Sequence, residues 1–233
     1  MKKIIWVASL VLLTLTGNVQ AKELSKADIE RIVHNYIVSN GGVVAQSVDT
    51  YLAEQRRETA SRLVSSHSPT YGADKPQITF IEFSDFRCGY CKRVQSTITQ
   101  LRKKYKDRVQ FVFKNMPILS EESRQAALAG LAAHKQGKFW EFNTKMWEGQ
   151  SRLGEDLFIE AAKSIGLNIK AFNKDRASEE IASQSQLDFV DGQASGVRGT
   201  PHFIIDGSPL SGAQPFEAFE QAIELALMAR EKS

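Results

Sequence analysis

Residues 78–94 read ITFIEFSDFRCGYCKRV, and this stretch decides the fold. Ile78-Thr79-Phe80-Ile81-Glu82-Phe83 is β-branched and aromatic, the composition of a strand. Cys91, Val94, Ile98, Leu101 and Tyr105 then recur at helical spacing, so a helix follows the cysteines directly. A strand that runs into a helix with two thiols at the junction belongs to an α/β layer.

Cys88 and Cys91 are the only two cysteines among 233 residues. Cys88 falls at the helix start, where orphan backbone N–H groups and the positive helix end stabilise an anion. A thiol placed there drops from about 8.5 into the range ~3.5–7.5. Arg87, Lys92 and Arg93 add positive charge nearby. Cys91 lies one turn further, on the apolar stripe continued by Val94 and Ile98, and is expected to be buried. One thiol to attack and one to resolve is what disulfide exchange requires. Other uses of the spacing fit poorly. Structural zinc needs four ligands, and His34, His67, His134 and His202 are dispersed. Haem attachment needs histidine after the second cysteine, where Lys92 stands. A structural disulfide closing so small a loop stabilises little. The expected chemistry needs neither a metal nor an organic cofactor.

Working outward, residues 109–113 form a second strand. Ser120 opens a long helical stretch with Glu121 and Glu122 in its first turn, where they suit the helix dipole. Gly137, Gly149 and Gly166 divide this stretch into short helices out to about residue 194. Phe139, Trp140, Phe142, Met146 and Trp147 read as core between those helices. Residues 203–205 and 209–211 flank Asp206-Gly207, a hairpin turn signal. Pro215 sits at a helix start, and Phe216, Phe219, Ile223, Ala226 and Leu227 supply the last apolar face. The order describes an α/β layer with a helical insertion at about 120–194, within a domain spanning 77–233.

The N-terminal third reads differently. Lys2 and Lys3 precede an apolar run from Ile4 to Leu15, and Val19-Gln20-Ala21 offers a cleavage site, so residues 1–21 read as a secretory signal peptide. The run is shorter than the roughly 20 residues of a membrane span. Its removal takes Lys+Arg from 30 to 28 against 27 Asp+Glu, a net charge of +1. That balance predicts no nucleic-acid or anionic-membrane partner. A secreted chain with a dithiol suits an oxidising compartment, most simply a periplasm. Residues 22–66 read as a helical arm. Ser25 and Asp28 form a capping box, Ile29, Ile32, Val33, Tyr36 and Ile37 make an apolar stripe, Asn40-Gly41-Gly42 breaks it, and Val44, Val48, Tyr51 and Leu52 resume it. Such a stripe is buried on its own domain or on a second copy of the chain through residues 25–66. Residues 67–76 read as a linker.

Residues 78–94, FKNMPIL at 113–119 and GVRGTPHFIIDG at 196–207 together resemble the DsbA family of thioredoxin-fold oxidoreductases. The resemblance covers roughly residues 76–230. It implies a thioredoxin-like fold with a helical domain inserted between its second and third strands, and disulfide exchange with unfolded or misfolded secreted proteins. It also implies a membrane redox partner whose identity the sequence does not give. On that resemblance Cys88 matches the nucleophile, Cys91 the resolving cysteine and Glu82 a buried acid that moves the Cys91 proton. Pro201 matches a cis-proline, leaving the Thr200 backbone to pair with substrate, and Lys114 is expected to support Glu82 by charge. His202, after the proline, is expected to pack or face the surface. Tyr90 and Thr200 depart from the most oxidising members of the family, which predicts a weaker oxidant or an isomerase. The arm is similar to that of ScsC-like relatives.

Overall fold

The computed structural model describes residues 23–231. The leader assigned to residues 1–21 lies outside the described residues. The chain divides into two units at residues 49 and 50.

The first unit begins with α1 (Lys26–Ser39). Ser25 caps it: the Asp28 amide donates to Ser25 Oγ at 3.1 Å, and the Ser25 amide donates back to Asp28 Oδ2 at 3.3 Å. The helix ends at Asn40, and α2 (Gly41–Arg62) starts at the glycine pair. Nothing in α1 is buried within this chain. Ile29, Ile32, Val33, Tyr36 and Ile37 are all exposed.

The second unit is built on a five-stranded mixed sheet. In chain order its strands are β1 (Thr70–Gly72), β2 (Ile78–Ser84), β3 (Val109–Asn115), β4 (His202–Ile205) and β5 (Ser208–Ser211), ordered β1-β3-β2-β4-β5 in space. β2 is central, parallel to β3 and antiparallel to β4. Its near-continuous burial reflects layers on both faces. The stretch read as a linker is corrected here. Within 67–76, Thr70–Gly72 pairs antiparallel with β3 and forms the sheet edge. Three residues among turn-formers are too few for a strand signal, and the pairing partner lies about forty positions away.

α3 (Gly89–Tyr105) follows β2, and five helices separate β3 from β4: α4 (Glu121–Lys135), α5 (Phe139–Glu148), α6 (Glu155–Ser164), α7 (Ile169–Arg176) and α8 (Glu179–Ala194). A 3₁₀ turn, Gln150–Arg152, joins α5 to α6. α9 (Phe216–Glu231) closes the chain after Pro215. The expected hairpin forms with Asp206 and Gly207 both at positive φ, 46° and 87°. No helix among the described residues is long and apolar enough to cross a membrane.

Strand alternation sorts the core. Ile78, Phe80, Val109, Phe111, Phe203 and Ile205 face α3 and α9. Ile81, Phe83, Val112 and Ile204 face the other way, where Ala60 of α2 and Leu63 complete a second cluster. Phe86, Phe113 and both cysteines join the inserted helices through Phe139, Phe142, Met146 and Trp147. The dithiol therefore sits at the seam between sheet and insertion.

Candidate active site

Cys88 is the N-cap of α3, and its side chain does the capping: the Cys91 amide donates to Cys88 Sγ at 3.3 Å. The Cys88 thiol in turn donates to the Thr200 carbonyl at 3.2 Å. The Thr200–Pro201 peptide bond is cis. Sites at 88 and 200, separated by the whole insertion, thus meet at one sulfur. Both cysteines are free thiols. Cys88 is 6% exposed and Cys91 0%.

The two thiols are electrostatically unlike. Hydrogen bonding from the Cys91 thiol, helped by Thr200 and by backbone amides of the first turn, brings Cys88 down to about 5 against the opposing cost of burial. Burial pushes Cys91 far up, and its bond to Cys88 pushes the same way. Tyr90 is 59% exposed, and its ring takes the Arg93 guanidinium at 4.6 Å. The stabilisation of the Cys88 anion comes chiefly from the neighbouring thiol, with Thr200 and the backbone adding to it.

Glu82 is 4% exposed on the central strand. Burial lifts its carboxyl to about 7, while the influence of the Ser84 hydroxyl, the hydrogen bond from Gln95 and the charge of Arg102 oppose the rise. Gln95 Nε2 donates to Glu82 Oε1 at 2.9 Å and to the Cys91 carbonyl at 3.2 Å. One amide thus ties the acid to the cysteine turn. Lys114 is not the basic partner. In the parallel register Glu82 stands beside Phe113, and Lys114 beside Phe83 on the opposite face. There Lys114 Nζ donates to Asp188 Oδ1 at 2.8 Å and Asp191 Oδ2 at 2.9 Å. The basic group whose field reaches Glu82 is Arg102, on α3.

Two residues outside the sequence reading fix the loop. Asp85 Oδ1 accepts from the Arg87 amide at 2.8 Å, and Oδ2 accepts from the Ile118 and Leu119 amides at 2.9 and 3.0 Å. Gln150 Nε2 donates to the Phe86 and Cys88 carbonyls at 2.8 and 2.9 Å. His202 packs as expected: it is buried on β4, with Nδ1 at 3.0 Å from Ser211 Oγ.

A mixed sheet of this order, with a buried dithiol where its central strand meets a helix, defines a thioredoxin-fold thiol protein. The family model described as thioredoxin matches residues 64–225, and the chain belongs to that family. Within it the chain is similar to DsbA-like thiol:disulfide oxidoreductases. A probable disulfide bond formation protein D of Bacillus cereus is 27% identical over 80% of this chain and 89% of its own length. The thiol-disulfide exchange protein alpha-DsbA2 of Wolbachia pipientis shares the fold at 21% identity, with a TM-score of 0.68 over 76% of this chain and 97% of that one. Proteus mirabilis ScsC in a compact conformation does so at 21% identity, with a TM-score of 0.66 over 88% of this chain and 100% of that one. The chain spans about a quarter of the Na(+)/H(+) antiporters it also matches, 23% of the Herminiimonas arsenicoxydans protein at 30% identity over 61% of this chain.

Proposed function

We propose that the protein exchanges disulfides with unfolded or misfolded secreted proteins in the periplasm, using Cys88 as the attacking thiolate. The asymmetry of the thiols carries this reading: Cys88 is lowered to about 5 while Cys91 is buried and raised. At neutral pH Cys88 is the anion. It attacks a substrate disulfide to form a mixed disulfide. Cys91 then gives its proton toward Glu82 and attacks Cys88 Sγ, releasing the substrate thiolate and leaving the pair oxidised. Run in reverse, the oxidised pair delivers a disulfide to a substrate dithiol. The Thr200 backbone beside Pro201 docks the substrate strand. A leader at residues 1–21 supports export, and a membrane protein resets the pair.

A thiolate this stabilised favours the reduced enzyme, and so favours giving disulfides away. A second direction is supported by α1, whose apolar stripe is unburied within one chain. Copies joined through residues 25–66 would hold several dithiols around one misfolded chain and isomerise it. Incubation with a scrambled-disulfide protein and with a reduced one separates the directions. Recovery from the scrambled protein supports isomerisation, and oxidation of the reduced protein alone supports the oxidase. Cys88→Ser abolishes both, and Cys91→Ser accumulates a mixed disulfide visible by mass. A cellular role that survives Cys88→Ser would replace this reading with a chaperone or binding module.

A further inference from the structure

Ser84 ends β2, two residues after Glu82, and strand alternation puts both side chains on the face that α3 covers. It is 2% exposed. Its hydroxyl oxygen is buried, and no hydrogen bond of ordinary geometry to a described residue occupies it. A buried polar atom left so is destabilising and calls for an explanation. Its surroundings supply one. The hydroxyl acts on two groups, the Glu82 carboxyl and the Cys91 sulfur, and favours the anion of each. The amide of the next residue, Asp85, also favours the Cys91 anion. Gln95 meanwhile pins Glu82 Oε1 and the Cys91 carbonyl.

We infer that the Ser84 hydroxyl is the proton relay between Cys91 and Glu82. This rests on the reading of Glu82 as the acceptor. When Cys88 is held in a mixed disulfide, the Cys91 thiol passes its proton to Ser84 Oγ as the Ser84 hydroxyl proton moves to the Glu82 carboxylate. The Cys91 thiolate attacks Cys88 Sγ, the new sulfur–sulfur bond forms, and the substrate leaves as a thiolate. The pair loses two electrons and the substrate disulfide gains them. Ser84 ends with the same number of protons it began with, and Glu82 holds the proton that Cys91 lost. In the reverse direction the hydroxyl returns that proton to Cys91.

The test uses the full chain and a symmetrical fluorescent peptide disulfide. Attack by Cys88 frees the first strand, and resolution by Cys91 frees the second. Ser84→Ala is expected to slow the second phase by roughly tenfold or more, the scale of a lost proton-transfer group. It is also expected to erase the rise in that phase through about pH 7, where Glu82 ionises. The first phase and the Cys88 titration near 5 stay as in the parent. Glu82→Gln, run in parallel, slows the second phase as well. A second phase of parent rate and pH profile in Ser84→Ala, with Glu82→Gln slow, overturns the relay and keeps Glu82. If neither variant slows it, the reading of Glu82 falls, and the relay with it. A uniform slowing that keeps the pH profile, or slowing of the first phase, assigns Ser84 a packing role and also overturns the relay.

Discussion

At the residue scale, the chemistry lies in the contrast between three buried or half-buried acids. Thiolate absorbance of the reduced protein is expected to titrate with a midpoint near 5, and the signal is lost in Cys88→Ser. Alkylation is expected to hit Cys88 and spare Cys91 until the chain is unfolded. Glu82 makes a prediction about stability. Below pH 4.5 both the folded and unfolded chains hold its proton. Between about 4.5 and about 7 the unfolded chain ionises while the folded one stays neutral. Unfolding then releases a proton, so stability falls as pH rises through that window. Glu82→Gln removes the cost and is expected to stabilise the protein by up to about 3 kcal/mol at pH 8, with no gain at pH 4. Urea midpoints at the two pH values measure it, and an equal shift at both would contradict the account.

At the scale of elements, the junction of β2 and α3 is held from outside itself. Asp85 gathers three amides, two of them from the chain after β3. Asp85→Ala removes the shared acceptor of those three amides and is expected to cost about 1–3 kcal/mol, read from urea unfolding. Gln150→Ala frees the carbonyls of Phe86 and Cys88. It is expected to change exchange rates more than stability. Such anchors mark where sequence reading stops. The strand, the helix start and the dithiol were legible because each is a local pattern of period or spacing. The Asp206-Gly207 turn was legible for the same reason. Asp85 and Gln150 were not, because their partners lie across the fold and neither stands in a pattern of its own. Lys114 was assigned to the wrong acid because proximity in a family motif says nothing about parity, and one residue of register separates the two faces of a sheet. Glycine spacing marked the helix breaks but missed Gly192, where α8 comes so close that an added Cβ would stand 2.7 Å from Met116 Sδ.

At the scale of the whole molecule, the arm read at residues 22–66 does not end where its helix enters the second unit. Arg57 donates to Asp206 Oδ2 at 2.8 Å, Arg230 of α9 donates to Asp206 Oδ1 at the same distance, and Leu63 is core. Removing residues 22–49 is therefore expected to leave the catalytic body folded, whereas removing 22–66 is expected to cost it about 3 kcal/mol or more through Leu63 and the Arg57 pair. Thermal melts of the two truncations check this. Light scattering of the shorter truncation, alone, tests the proposed association through the arm, and an unchanged particle mass would reject it. The three-way core has one more outcome. Trp147 packs against Phe86 at a tilt, with ring centroids 4.8 Å apart, inside the cluster that contains both cysteines. Trp140 belongs instead to the edge of the sheet, donating to the Thr70 carbonyl at 2.7 Å. A sulfur–sulfur bond can quench a nearby indole, so the chain is expected to carry its own optical gauge: emission from Trp147 is expected to dim as the pair oxidises, which would let each turnover be watched without a label.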